Sequence, residues 1–169
     1  MNRSFKIVKI ENLSGPAASI YTIQFKDDRS SLFGQFVEKY RPNYPREVNR
    51  IISKVWNMGH EFGIQDHLIE PFEGKPGDGV CTVFDTDNAG RKLTLRLYGI
   101  SFGHLILILG SGAPKIGIKA LQENKELCRE NYLLRDISNL ITDRIREREI
   151  QIHPYRNEFY GDLEFDFEN

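Results

Sequence analysis

Residues 93–115, LTLRLYGISFGHLILILGSGAPK, decide how the rest of this chain is arranged. Leu93, Leu95 and Leu97 alternate with Thr94, Arg96 and Tyr98, the two-residue period of a half-buried strand, which predicts an arginine and a phenol side by side on its open face. Ser101, Phe102 and Gly103 supply a turn, and His104 to Leu109 form an unbroken apolar run of the kind found in a central strand covered on both faces. Gly110 to Pro114 read as the exit of that strand, a place for positive φ, and deliver Lys115.

Upstream, FKIVKIEN (5–12) and SIYTIQFK (19–26) are rich in aromatic and β-branched residues around a Gly-Pro turn and predict a hairpin over 5–26. Ser30 or Ser31 caps a helix whose apolar stripe is Leu32, Phe33, Phe36, Val37 and Tyr40. Pro45 suits the first turn of a second helix facing the core through Val48, Ile51, Ile52 and Val55, with Gly59 as its stop. A short strand near Leu68–Phe72, a loop at Glu73–Gly79 and a strand from Val80 to Phe84 lead through DTDNAG into the opening stretch. Beyond Lys115 a helix starts near Ile118, breaks around Gln122–Lys125 and resumes to about Glu149, with Leu133, Leu134, Ile137, Leu140, Ile141 and Ile145 on one face. Its arginines interleave with carboxylates, as on a solvated helix face. Leu163, Phe165 and Phe167 alternate with acids, the pattern of an edge strand, and this strand is predicted to pair with the N-terminal hairpin. The fold class is therefore α+β: an antiparallel sheet, made of the N-terminal hairpin plus a three- or four-stranded meander, packed on two N-terminal helices and a long C-terminal helix.

A length of 169 residues with 40 % hydrophobic and 28 % charged composition fits one domain, 1–169. No apolar stretch reaches 18 residues and the N-terminus alternates, so the expectation is a cytoplasmic protein without a membrane partner. Cys81 and Cys128 lack CxxC spacing and predict neither a disulfide framework nor a thiolate metal site. The tail, 150–169, carries five carboxylates against Arg156 alone, which leaves residues 1–149 mildly basic.

His60, His67, His104 and His153 lack the i,i+4 pairing of a helical zinc site, so no metal and no cofactor are expected. GSGAPKIG lacks the lysine and hydroxyl placement of a phosphate loop. Residues 75–119 hold Lys75, Arg91, Lys92, Arg96, Lys115 and Lys119 against only Asp78, Asp85 and Asp87, and neighbouring strands can gather such cations on one face. Arginine and lysine suit phosphates, and Tyr98 suits stacking on a base or exchanging a proton.

Arg96-Leu97-Tyr98, a turn, the strand LILILG and a short linker to Lys115 and a helix resemble the RelE/ParE toxin superfamily, and in particular its phage-type HigB-like branch. At the level of element order the resemblance runs over residues 20–145. It implies a single RelE/ParE-like domain with an added hairpin (5–26) and an acidic tail (150–169). The function implied is that of the toxin of a type II toxin-antitoxin system, a metal-independent RNA endonuclease (mRNA interferase) held by a cognate helix-turn-helix antitoxin and acting on RNA, often on the ribosome. Arg96, Tyr98 and Lys115 match the catalytic positions, and Lys75, Arg91, Lys92 and Lys119 flank them as RNA-binding residues. Val83 and Phe84 stand where many relatives carry an arginine. The alternative is a non-catalytic binding protein on the same fold, a DNA gyrase inhibitor or an inactive antitoxin-binding relative.

Overall fold

The computed structural model describes residues 2–71, 79–83, 86, 88–115 and 125–167. Strand β1 (Phe5–Lys9) and strand β2 (Ser19–Phe25) form the predicted hairpin, with Phe5 opposite Phe25. Helix α1 (Leu32–Tyr40) starts at Ser31, whose Oγ accepts a hydrogen bond from the Gly34 amide at 3.1 Å and satisfies one of the orphan donors of the first turn. Helix α2 (Pro45–Asn57) has proline in its first turn and buries Val48, Ile51 and Val55, with Ile52 only half-buried. Gly59 does not stop it. The chain continues through a π turn, Met58–Phe62, and ends at Gly63, whose φ of 74° is the left-handed conformation that favours glycine.

A 3₁₀ turn (Asp66–Leu68) leads to β3 (Ile69–Pro71), followed by β4 (Val80–Val83), β5 (Leu95–Phe102) and β6 (Ile106–Pro114). The loop read at 73–79 and the helical start read at 118–121 lie largely outside the described residues, as does Phe84. The turn between β5 and β6 is Gly103–Leu105, so His104 is an exposed turn residue and does not begin the strand. Its Nδ1 lies 2.5 Å from the Ile64 carbonyl oxygen, which ties the turn to the end of the π turn. Gly110 to Pro114 continue β6 instead of ending it. Neither Gly110 nor Gly112 has positive φ. β6 carries an extra residue opposite the Leu97–Gly99 step, and at Gly112 a Cβ would overlap the Arg96 carbonyl oxygen. Close strand approach at a bulge is what glycine permits here.

The sheet has seven strands in the order β3-β4-β5-β6-β2-β1, closed by β9 (Glu164–Phe165). Every neighbouring pair is antiparallel except β2 with β6, where Ser19–Thr22 run parallel to Ile106–Leu109. Hairpins make each block antiparallel, and the two blocks meet across a pair separated by both helices and three strands, which allows a parallel join. Helix α3 (Lys125–Arg146) ends before the expected Glu149. A second, two-stranded sheet follows, β7 (Ile150–Ile152) with β8 (Phe159–Gly161), where the sequence reading had only a tail.

Adjacent residues of β2 assign the two faces. The Tyr21 hydroxyl accepts from the Phe159 amide of β8 at 2.9 Å, whereas Thr22 Oγ1 accepts from the Phe33 amide of α1 at 3.2 Å and donates to the Leu109 carbonyl at 2.8 Å. α1 and the β7–β8 hairpin therefore cover opposite faces. Phe25 shares the Tyr21 face and meets Phe5, Phe165 stacks on Phe5 at 4.5 Å, and the Arg144 guanidinium of α3 lies 3.7 Å above the Phe165 ring. α3 thus belongs to the Tyr21 face, where Leu134 also packs onto Gly110. Side chains such as Phe25, Phe36, Ile23, Ile51 and Leu107 are fully buried between these layers, each contributing about 1.5–3 kcal/mol relative to exposure.

The tail adds its strand to the hairpin edge as predicted, with Phe5 opposite Phe165 and Lys6 opposite Glu164. Three arginines of α3 pair with carboxylates: Arg129 with Glu130, Arg146 with Asp143, and Arg144 with Glu149 and Asp162. Cys81 is buried in β4, Cys128 is half-buried on α3, and neither forms a disulfide.

Candidate functional site

Arg96 and Tyr98 share one face of β5 with Ile100 and Phe102, and Phe102 meets the Phe159 ring at 5.3 Å. The pair therefore points to the face covered by α3, which packs on β4, β5 and β6. The expectation of an open face is corrected on this point: Tyr98 is 3 % exposed. Arg96 is half-buried, and its Nη1 donates to the carbonyl oxygens of Leu95, at 3.1 Å, and Leu93. Burial pushes its pKa below the ordinary arginine value, and the negative charges of Glu70 and Glu47 act in the opposite direction. An arginine held by its own strand's carbonyls has a fixed position and keeps further N–H donors.

Lys115 is exposed, and its backbone amide donates to Thr94 at 2.8 Å, extending the β5–β6 ladder one step past Leu95 opposite Pro114. Arg96 stands opposite Ala113, so Lys115, two residues further, is its diagonal neighbour on the same face. Such diagonal pairs are separated by about 7–8 Å, close enough for two long cations to reach one phosphate. In register, Glu70 of β3 faces Thr82 of β4, and Thr82 faces Tyr98, giving a polar row across three strands. Lys92 forms an ion pair with Glu70 at the edge of this row.

Of the flanking cations, Arg91 is exposed and Lys92 is paired, whereas Lys75 and Lys119 lie outside the described residues. Arg91 and Lys92 form one wall of a groove of about 530 Å³ whose other wall is Arg46, Glu47 and Arg50 of α2. Glu47 is committed to the framework, because its Oε1 accepts from the Leu95 amide at 3.0 Å. Leu93 and Thr94 form the groove's end next to Arg96 and Lys115. A second hollow of about 480 Å³ continues along α2, lined by Asn49, Arg50, Ser53, Lys54, Asn57 and Leu68. Arg50, Lys54 and Arg91 also have partners within the chain.

The sequence reading missed this contribution from α2. The signal was present in PREVNRIISKVWN: Arg46, Arg50 and Lys54 recur every four residues, with Asn49, Ser53 and Asn57 beside them, on the side opposite Val48, Ile51 and Val55. Among the described residues no group of three or more His, Cys, Asp or Glu is placed to hold a metal ion, and no helix is long and apolar enough to cross a membrane. Comparison of the chain with protein-family models, with curated proteins and with solved structures finds no match.

Proposed function

We propose that the chain is a metal-independent RNA endonuclease, the cytoplasmic toxin of a toxin-antitoxin pair, with a helix-turn-helix antitoxin as its partner. The observation that carries this reading is the register that makes Arg96 and Lys115 diagonal neighbours at the end of the β5–β6 ladder. The element order of β2, α1, α2 and the β4–β6 meander, on which the resemblance to RelE/ParE toxins rests, supports it. In this reading the two cations stabilise the charge that develops on a phosphate as a 2′-hydroxyl attacks it. Such preorganised donors are worth about 10²–10³-fold each in rate. Tyr98, buried beneath them, forms the floor of the site, and its role is positioning.

A second reading has its own support. The burial of Tyr98 and the carbonyl contacts of Arg96 favour a non-catalytic binding protein on this fold, a gyrase inhibitor or an antitoxin-binding relative. Inducible expression with parallel assays of RNA integrity and DNA supercoiling separates the two. The expected result is loss of intact RNA with normal supercoiling, cleavage that persists in EDTA, and a drop of roughly 100-fold or more in Arg96→Ala and Lys115→Ala. Intact RNA with altered supercoiling selects the second reading, and full cleavage by a soluble double variant overturns the site.

A further inference from the structure

We infer that the tip of the β7–β8 hairpin is a stacking site for a nucleobase of a single RNA strand, a second contact remote from Arg96 and Lys115. The inference rests on the RNA-directed reading above and extends it to a part of the molecule that the reading does not use. Three rings carry it. Tyr155 stands 91 % exposed in the turn between the two strands, and His153 lies next to it with 6.2 Å between ring centroids and 64° between planes. Tyr160 of β8, 46 % exposed, lies 6.0 Å from the same imidazole at 67°. The tip is held in place. The Tyr155 amide donates to His153 Nδ1 at 3.2 Å and the His153 amide to the Glu158 carbonyl at 2.7 Å, Pro154 fixes φ between them, and Asn157 takes the left-handed conformation at φ 54°. Tyr160 is fixed as well, its hydroxyl donating to Gln151 Oε1 at 2.6 Å. An ordered turn therefore carries a phenol ring out into water, where its exposure gives the fold almost no burial and leaves the ring available to a ligand.

A nucleobase suits this arrangement better than a protein surface does. A base stacks on a single uncovered ring, whereas a protein hot spot sits inside a water-excluding rim, and Ile152 is the only large aliphatic residue that the hairpin exposes. Because His153 Nδ1 accepts the Tyr155 amide, the proton of the neutral imidazole is on Nε2, a donor for a base edge or a phosphate, and exposed Arg156 follows Tyr155 as a cation. Carboxylates of the tail are engaged elsewhere: Glu158 pairs with Lys9, Asp162 pairs with Arg144, and Glu164 lies on β9 at the edge of the sheet. Phe159, the neighbour of Tyr160, packs on Phe102 near the end of β5. From Phe102 back to Arg96 along that strand is about 20 Å, a span for a strand of several nucleotides.

The test uses the full-length protein and two fluorescent 2′-O-methyl oligoribonucleotides that bind without being cut, one of mixed sequence and one of the same length and charge without bases. Tyr155→Leu is expected to weaken binding of the first roughly tenfold, the loss of one base stack, and to leave binding of the abasic strand unchanged. Tyr155→Phe keeps the ring and is expected to stay within about twofold of the parent on both strands. Tyr132→Leu, at the exposed tyrosine of α3, is the control and is expected to leave both affinities as in the parent. A side chain as exposed as Tyr155 tolerates these changes without unfolding, which circular dichroism checks. A parent that binds RNA and loses nothing in Tyr155→Leu overturns this inference alone, as does an equal loss in Tyr155→Phe, on the abasic strand or in Tyr132→Leu. Unchanged RNA affinity with a change of sedimenting mass in Tyr155→Leu also overturns it, in favour of an interface between copies. A parent that binds through Tyr155 and leaves cleavable RNA intact upholds the stacking site and removes the cleavage reading. A parent that neither binds nor cuts RNA removes the proposed function and this inference together.

Discussion

The two ends of α3 solve the same problem in opposite ways. Toward its C-terminus, Arg144 lies over the Phe165 ring and donates to the carbonyl oxygens of Asp162, at 3.0 Å, and Glu164, so a buried arginine stem, an aromatic face and the backbone of the tail are satisfied together. Toward its N-terminus, Asn131 is 0 % exposed and neither its amide nitrogen nor its amide oxygen has a hydrogen-bond partner among the described residues, although it occupies the same buried face as Leu134 and Ile141. One half of the helix is built for stability. The other, packed toward the strands that carry Arg96 and Tyr98, retains a desolvated polar group, a cost that proteins tend to keep near functional surfaces and remove elsewhere.

The largest effect belongs to the satisfied end. Phe165→Ala removes the ring sandwiched between Phe5 and Arg144 and is expected to cost about 3–5 kcal/mol in urea unfolding, since a buried aromatic is replaced by a cavity at the seam between tail and hairpin. A loss under about 1 kcal/mol would mean that β9 is not the closing strand of the sheet. At the other end the sign reverses. Asn131→Leu replaces two unpartnered polar atoms by an apolar group of similar size and is expected to stabilise by about 1–3 kcal/mol. Destabilisation by this substitution would break the comparison. A gain in stability accompanied by lost RNA cleavage would sharpen it, by tying the retained cost to activity.

A smaller contrast separates the two candidate cations. Arg96 is half-buried and bonded to two carbonyls, so Arg96→Ala is expected to lower stability by roughly 1–2 kcal/mol through orphaned acceptors, whereas exposed Lys115→Ala stays within about 0.5 kcal/mol. Equal stability losses in the two variants would show that the carbonyl contacts of Arg96 contribute nothing.

Which features were legible in the sequence follows the same division. Aromatic and β-branched residues in 5–12 and 19–26 around a Gly-Pro turn revealed the hairpin, and two-residue alternation in 163–167 its closing strand, because the first two pair with near neighbours and the third carries its aromatics on a single face. The Ser31 cap and Pro45 start were local signals and were read locally. The parallel join of β2 to β6 was not legible, since no local pattern distinguishes a partner 80 or more residues away. β7 and β8, three residues each, are too short to show a period. Tyr98 was placed in the open because alternation tells which residues share a face and says nothing of what later covers it. The α2 row was missed for the converse reason: that helix was read for its apolar positions, and its polar side carries the charge.

The last prediction concerns the N-terminal end of α3, where a surface contact fastens it to α1. Glu126 accepts from the Tyr40 hydroxyl at 3.1 Å and pairs with Lys39, and its carboxyl is held below the usual glutamate range, first by the Lys39 hydrogen bond and then, after burial has opposed the shift, by Tyr40. A carboxyl whose folded pKa is depressed stabilises the fold fully above its unfolded value, near 4.5, and loses that contribution as pH falls through the lower folded value. Lys39, whose pKa is raised by the same contact, contributes below its unfolded value near 10.5 and loses its share as pH rises through the higher folded value. The contact therefore acts as a plateau across neutral pH with edges in acid and in strong base. Both side chains are more than a third exposed, so solvent screening keeps the gain under about 1 kcal/mol. Lys39→Met is expected to lower Tm slightly at pH 7, and the difference is expected to shrink as pH falls through the lowered folded pKa of Glu126. Because Tyr40 is 6 % exposed and packs on Phe36, its hydroxyl stays in place in that variant and keeps part of the depression of Glu126. Lys39→Met combined with Tyr40→Phe is then expected to shift the acid edge of the stability profile toward the ordinary glutamate value, and an edge that does not move in the double variant would place the acid sensitivity of the fold at another carboxylate.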